Sequence, residues 1–242
     1  MDVIKDRLTN ILNEVKKIDK SFYEDVICFI ESLQRKEIPS KMPFSPDIFD
    51  NFTENNLKKD TTMMYLRNYC QSIGLYGIVT KDYCKSIKEN IGDKKILEVM
   101  SGRGFLSKGL ADEGVNIIAT DDFSWNNVVD PVYGVENLSA IEAVRKYKDK
   151  SDVLLISWPP YDKYEINEVI QEWGSKKNII YIGKVDGCCA NDEFFNMLSL
   201  KESKTKQSTF SGLHDKLYDA KLKKKYDLSL KEERNSKANK LS

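Results

Sequence analysis

Apolar residues recur at helical spacing along the first part of the chain, and this pattern predicts a mostly helical region over residues 1–92. The first helix carries its apolar residues at Ile4, Leu8, Ile11, Leu12, Val15 and Ile18. Ser21 and Glu24 have the spacing of a capping box, which predicts that a second helix begins there.

Prolines interrupt the helical pattern after the second predicted helix. They are Pro39, Pro43 and Pro46. Three prolines so close together predict an irregular connector, and the last of them suits the first turn of the next helix. Two more helices are predicted over residues 60–73 and 81–91, because Gly74 and Gly92 follow them in the position that ends a helix.

The period of the pattern changes after residue 92. Short, apolar, β-rich runs lie at 94–100, 115–121, 151–157 and 178–183. Helix-like stretches separate them at 105–113, 138–147 and 164–173. Near-continuous apolar strands that alternate with helices are typical of a parallel sheet covered on both faces. The sequence therefore predicts an α/β fold, a Rossmann-like, doubly wound, mainly parallel sheet, with an N-terminal helical extension.

We divide the chain into a helical region at 1–92, a ligand-binding α/β domain at 93–227 and a basic tail at 228–242 that we expect to be disordered. Residues 201–242 hold 12 Lys or Arg and 6 Asp or Glu, so this end carries +6 and the preceding 200 residues carry −6. A basic end can contact nucleic acid, but lysines interspersed with acids also keep an exposed end solvated.

Composition narrows the class of protein only slightly. The chain has 242 residues, 40% hydrophobic and 31% charged, and no apolar run approaches the roughly 18 residues that a membrane span needs. The N-terminus lacks the apolar core of a secretory signal, so we expect a cytoplasmic protein without a membrane partner. The five cysteines form no zinc-binding pattern, and we expect no metal site.

The first predicted strand runs into a glycine-containing turn. Gly102 and Gly104 follow that strand, and in an open α/β sheet such a turn lets a ligand approach the backbone. Glu98 precedes the turn. Asp121 follows the second predicted strand about 20 residues on, where an acid can accept hydrogen bonds from both hydroxyls of a ribose.

The two residues that follow Asp121 suit the base of a nucleoside whose ribose Asp121 would bind. Asp122 is a further acceptor and Phe123 offers a flat apolar surface beside an adenine. A nicotinamide dinucleotide site is the alternative, but it would require a third glycine for the pyrophosphate, and Leu106 and Ser107 stand there instead. The turn therefore suits a cofactor without a diphosphate.

A stiff corner follows the fourth predicted strand. Pro159 and Pro160 have no N–H group to pair, so strand pairing must stop at Trp158. The corner has aromatic rings on both sides, with Tyr161 after the prolines. It is either a strand terminator whose rings fill the core or a rigid loop at the ligand-binding edge of the sheet.

These segments together resemble the class I S-adenosylmethionine-dependent methyltransferases, from about residue 94 to the last strand. They read EVMSGRG at 98–104, ATDD at 119–122 and SWPPY at 157–161. The resemblance implies that S-adenosyl-L-methionine is the cofactor, bound by Glu98, Met100, Ser101, Gly102, Gly104, Asp121, Asp122, Phe123 and Ser157. Met100 departs from the family pattern, which has glycine at that position.

SWPPY is similar to the Asp/Asn/Ser-Pro-Pro-aromatic motif of the enzymes that methylate amino groups of nucleic-acid bases. The resemblance implies catalytic roles for Trp158, Pro159, Pro160 and Tyr161, with the tyrosine stacking on the target base. Trp158 replaces the acceptor residue of the motif, and an indole can only donate. Ser157 stands one residue earlier, and Asp162 is a nearby acid.

The sequence thus predicts an S-adenosylmethionine-dependent methyltransferase whose acceptor is unidentified, with a nucleic-acid base nitrogen narrowly favoured. Two alternatives stay open: a protein that binds the cofactor without catalysis, and a methyltransferase for a small molecule or a protein, with the helical region as its lid. A basic surface around the corner would favour nucleic acid, and a closed apolar pocket would favour a small molecule. The sequence leaves the oligomeric state open.

Overall fold

The computed structural model describes residues 2–43, 53–125, 130–161, 163–185, 187–205, 209–210 and 213–227. The predictions made for Pro46, Asp162 and the tail at 228–242 lie outside these ranges. The helices are α1 (Asp2–Ile18), α2 (Lys20–Gln34), α3 (Glu54–Ser72), α4 (Lys81–Ile91), α5 (Phe105–Asp112), α6 (Ala140–Tyr147), α7 (Glu165–Trp173) and α8 (Asp192–Met197).

Two predicted helix starts were wrong, each because a polar side chain caps the helix earlier. α2 begins at Lys20, since the Asp19 side chain accepts a hydrogen bond of 2.9 Å from the N–H of Phe22, and no Ser21–Glu24 box forms the cap. α3 begins at Glu54 after Thr53, well before residue 60. Its first turn is polar and carries no apolar period, so the pattern could not show it.

The strands form one sheet in the order β3-β2-β1-β4-β5-β7-β6. Their bounds are β1 (Ile96–Val99), β2 (Ile117–Asp121), β3 (Val135–Asn137), β4 (Val153–Ser157), β5 (Asn178–Gly183), β6 (Leu198–Glu202) and β7 (Lys216–Leu222). β1 to β5 are parallel, and β7 is antiparallel to both β5 and β6. The predicted fold class is confirmed: a Rossmann-like, mainly parallel sheet with helices.

The strand order reverses between β1 and β4, which are neighbours in the sheet but are separated in the chain. In doubly wound sheets, ligands bind in the crevice outside the carboxyl ends of the strands at such a switch point. Glu98 of β1 lies opposite Leu155 of β4, so the glycine turn after β1 and the corner after β4 come to the same edge.

The two faces of the sheet have separate cores. One is formed with α6, α7 and α8 and includes Ala143, Ile170 and Phe194. The other is continuous with the N-terminal helices, since buried residues from Leu8 to Ile182 form one cluster. The helical region therefore packs directly on the sheet, while the boundary at residue 92 stays a prediction. In the described part of the chain, no helix is both long and apolar enough to cross a membrane.

Candidate functional site

A cavity of about 610 Å³ lies at the switch point of the sheet. Its floor is formed by the turn after β1, the loop after β2 and the corner after β4. Its opposite wall is formed by α3, the segment 74–79 and the residues just before β7. The volume falls within the range of about 300–1,000 Å³ that is usual for small-ligand sites.

The turn after β1 has left-handed backbone at three positions. The φ angles are 54° at Met100, 58° at Gly102 and 79° at Gly104. Met100 thus adopts the conformation that the glycine of the family pattern would favour. A side chain at Gly104 would lie 2.7 Å from a Val135 methyl carbon, which explains why glycine is needed there. Met100 is therefore held in a left-handed conformation that a glycine would adopt without strain.

Glu98 is fully buried beneath this turn. Its carboxylate accepts hydrogen bonds from the hydroxyls of Ser107 and Ser157, the latter at 2.7 Å. Burial raises the pKa of Glu98 to about 7, although the two serines lower it in part. Near neutral pH this carboxyl is thus poised between its two charge states, and a cation at the cavity floor would favour the ionised form.

Asp121, at the end of β2, organises the loops around it. Its carboxylate accepts hydrogen bonds from the N–H groups of Gly102 (2.7 Å) and Phe123 (2.7 Å) and from the Trp125 indole (2.9 Å). Burial raises its pKa, and the hydrogen bonds oppose that shift. Asp122 is exposed and also lines the cavity. The Asp122 carboxylate accepts a hydrogen bond of 2.9 Å from the N–H of Ser124, whereas Asp121 already serves three donors.

The corner after β4 is clamped by the loop after β5. The N–H of Trp158 donates to Ile182 O at 2.8 Å, and the N–H of Ala190 donates to Pro159 O at 3.0 Å. Trp158 has a φ of 46°, a strained value for a tryptophan. Its ring lies directly on Gly77, where a Cβ would come within 1.9 Å of the indole.

Most of the sequence-predicted residues meet in this cavity. Its lining includes Glu98, Met100, Ser101, Gly102, Asp121, Asp122, Ser157, Trp158, Pro159 and Pro160. Gly104, Phe123 and Tyr161 are absent from the lining, and Tyr161 is 57% exposed. The individual roles predicted for these residues stay predictions.

Sequence reasoning missed the opposite wall, which consists of Arg67, Gln71, Gly74, Leu75, Tyr76, Val79, Leu213 and Asp215. It also missed Trp125, which contacts the ring of Tyr76 edge-on with ring centres 6.4 Å apart. Apart from Gly74, which the sequence marked only as the end of a helix, none of these residues stands in a predicted motif, and they reach the cavity from α3, from the segment after it, from the loop after β2 and from just before β7. Among the described residues, no group of three His, Cys, Asp or Glu could hold a metal ion.

Comparisons with known proteins add little. No protein-family model and no curated sequence matches the chain. A mutant of MtNAS is 11% identical, with 90% of this chain and 97% of that chain covered and a TM-score of 0.40. A methyltransferase from Agrobacterium tumefaciens, described as SAM-dependent, is 10% identical over 59% of this chain and 60% of that chain, with a TM-score of 0.34. Human N-acetylserotonin methyltransferase in complex with SAM is 8% identical over 88% and 70%, with a TM-score of 0.36.

Likeness at this level carries no argument about function. The fold and the site themselves define the class: a doubly wound α/β protein with a ligand-sized cavity at the switch point of its sheet.

Proposed function

We propose that this protein transfers a methyl group from S-adenosylmethionine to a small molecule held in the cavity. One observation carries the proposal. A single cavity joins the turn after β1, where the family binds its cofactor, to the corner after β4, where the family binds its acceptor. When bound, S-adenosylmethionine supplies an electrophilic methyl group on a sulfonium.

The polar groups on the cavity floor fit this cofactor. The buried Ser101 hydroxyl has no hydrogen-bond partner in the described part of the chain, so a ligand can satisfy it. Glu98 offers a buried carboxyl that a ligand ammonium would stabilise in its ionised form. Asp122 offers an exposed carboxylate for the ribose. The chain would therefore hold the cofactor through charge-assisted hydrogen bonds at both ends of the floor.

The geometry does not favour a nucleic-acid base as acceptor. Methylation of an exocyclic amino group needs two acceptors at the corner, and a base would have to share Pro159 O with the N–H of Ala190 and the Ser157 hydroxyl with Glu98. Tyr161, which would stack on the base, lies outside the cavity lining.

A small acceptor fits better. Leu75 and Val79 from the helical region and Leu213 from just before β7 line the cavity with apolar side chains. Water exclusion of this kind protects methyl transfer from hydrolysis. For these reasons the small-molecule alternative replaces the nucleic-acid base in our proposal. The cytoplasmic location stays a prediction.

Calorimetry with S-adenosylmethionine and S-adenosylhomocysteine tests the cofactor. We expect both to bind, and we expect Asp122→Asn to weaken binding about tenfold through the lost charge-assisted hydrogen bond. Asp149→Asn, an exposed acid outside the cavity, is the matched control and should bind as the wild type does. No binding at millimolar concentration, or equal affinity for both variants, would contradict the cofactor assignment.

Methyl transfer separates catalysis from binding alone. Labelled S-adenosylmethionine is incubated with the protein and with either a small-metabolite extract or total nucleic acid. We expect labelled product only with the small metabolites. A protein that binds the cofactor and labels neither fraction would be the non-catalytic binder, and label in nucleic acid would restore the base as acceptor.

A further inference from the structure

Arg67 brings a positive charge into the acceptor side of the cavity. It lies on α3 and lines the cavity, close enough to Asp215 for its charge to lower the pKa of that carboxyl. Its Nε atom is buried and has no hydrogen-bond partner within the described residues, and the side chain forms no ion pair there. A buried guanidinium nitrogen without a partner is costly, because water is removed and nothing replaces it. The arginine is therefore poised for an anion.

Asp215 brings a negative charge to the same side. It lies just before β7, is 7% exposed and lines the cavity. Burial raises its pKa, whereas the nearby Trp158 indole and the charges of Arg67, His214 and Lys184 lower it.

The Trp158 indole lies next to Asp215, but it does not form a regular hydrogen bond to the carboxylate. Trp158 Nε1 makes no hydrogen bond of ordinary geometry. It nevertheless lies close enough to Asp215 to stabilise the ionised carboxylate and so to lower its pKa. The other titratable groups that face Asp215 are the buried Tyr83, Tyr181 and Cys189. The pKa of each is raised by burial, so these groups stay neutral, and the charges that act on the carboxylate are those of Arg67, His214 and Lys184.

Arg67 and Asp215 thus line the same cavity and lie close enough to interact electrostatically, but no direct ion pair joins them. Leu75, Val79 and Leu213 surround them. A ligand that satisfies both groups carries one anionic and one cationic group on an apolar body. The planar fork of an arginine matches a carboxylate in a two-point contact, and a zwitterion matches the opposite charges of Arg67 and Asp215.

We propose that the methyl acceptor is a small apolar amino acid or a close analogue, with its carboxylate bound by Arg67 and its amine by Asp215. This inference rests on the proposed function. Asp215 first accepts one proton from the ammonium group. The neutral amine nitrogen then attacks the methyl carbon, so that an N–C bond forms while the C–S bond breaks and sulfur keeps the electron pair. The products are the methylated ammonium ion, S-adenosylhomocysteine and a protonated Asp215, which returns its proton to solvent.

Ligand-observed NMR titrations test the two contacts. The probes are L-phenylalanine, L-leucine and L-methionine, with phenethylamine lacking the carboxylate and 3-phenylpropionate lacking the amine. Each is titrated with and without saturating S-adenosylhomocysteine. We expect an amino acid to bind at least tenfold more tightly than either truncated probe. No binding by the three amino acids, or equal binding of the truncated probes, would overturn the proposal.

Variants assign the contacts. Arg67→Gln should abolish the preference for phenylalanine over phenethylamine, and Asp215→Asn should abolish the preference over phenylpropionate. Arg145→Gln and Asp149→Asn, both exposed and outside the cavity lining, should keep both preferences. Because each preference is a ratio measured on one folded protein, a merely structural role would not change it. If Asp215→Asn fails to fold, the ratio for Arg67→Gln still decides, and an unchanged ratio would refute the assignment.

The experiments distinguish failure of the proposed function from failure of the amino-acid site. Affinity for S-adenosylhomocysteine should stay within twofold in all four variants, because none of the substituted residues lies on the cavity floor. If S-adenosylhomocysteine does not bind the wild type, the proposed function fails. Selective amino-acid binding without it would then still support the Arg67 and Asp215 site.

Discussion

The titration of Glu98 should control the stability of this protein around neutral pH. Burial raises its pKa from the ordinary 4.5 to about 7. The pKa of Glu98 is higher in the folded state than in the unfolded state. Its contribution to the free energy of unfolding is therefore fully present below about pH 4.5 and is lost as the pH rises through 7. At about 1.4 kcal/mol per pH unit, the loss amounts to about 3 kcal/mol of unfolding free energy.

Glu98→Gln removes this titration and keeps the size of the side chain. An amide can exchange hydrogen bonds with the Ser107 and Ser157 hydroxyls, which can rotate to accept as well as donate. We expect the variant to be within about 1 kcal/mol of the wild type at pH 5 and about 3 kcal/mol more stable at pH 8. Urea denaturation at several pH values measures the difference, with exposed Glu168→Gln as the control.

A stability difference that stays the same from pH 5 to pH 8 would refute the reasoning, since it would show that Glu98 titrates alike in both states. Cofactor binding gives a second measurement. A bound ammonium favours the ionised carboxyl, so binding to the wild type near pH 7 should release a proton, and affinity should rise from pH 6 to pH 8. Calorimetry in buffers of different ionisation enthalpy detects the proton, which Glu98→Gln should not release.

Three further predictions concern the corner and the C-terminal end. Trp158→Ala should weaken acceptor binding in the NMR titration, whereas Tyr161→Ala, at a side chain 57% exposed, should change stability by only about 0.5 kcal/mol and leave that binding intact. Gly77→Ala should displace the Trp158 ring, because its Cβ would lie 1.9 Å from the indole, and an unaltered tryptophan emission spectrum would contradict this. Truncation after Asp227 should leave the Tm unchanged, and a Tm lowered by several degrees would show that the tail docks on the fold. Asp227→Ala should lower the free energy of unfolding by about 1–3 kcal/mol, because the N–H of Ser175 loses its acceptor at 2.7 Å.

Elements with a strong period were predictable from the sequence. α4 runs from Lys81 to Ile91 and β5 from Asn178 to Gly183, as the pattern predicts. β3 has three residues and a polar composition, β6 is an edge strand, and β7 beside it alternates between buried and exposed residues. Strands of this kind are defined by their pairing partners, which a local pattern does not contain.

The floor of the candidate site was also visible in the sequence, because glycines, acids and prolines at the ends of parallel strands meet at one edge. The SWPPY motif favoured a nucleic-acid base as the methyl acceptor, and the structure gives this choice no support. Only the structure shows that Pro159 O is already bonded to Ala190 and that the Tyr161 ring lies outside the cavity lining.

The sequence by itself determined the alternation of strands and helices and the residues that follow β1, β2 and β4, since both depend on local period and chain order. The tertiary structure alone decided that Arg67 and Asp215 share one cavity. These residues come from opposite ends of the chain, and a single charged side chain has no period or spacing that marks its partner. Their meeting depends on how α3 and β7 pack on the sheet, and that packing is set by the shapes of many apolar side chains at once.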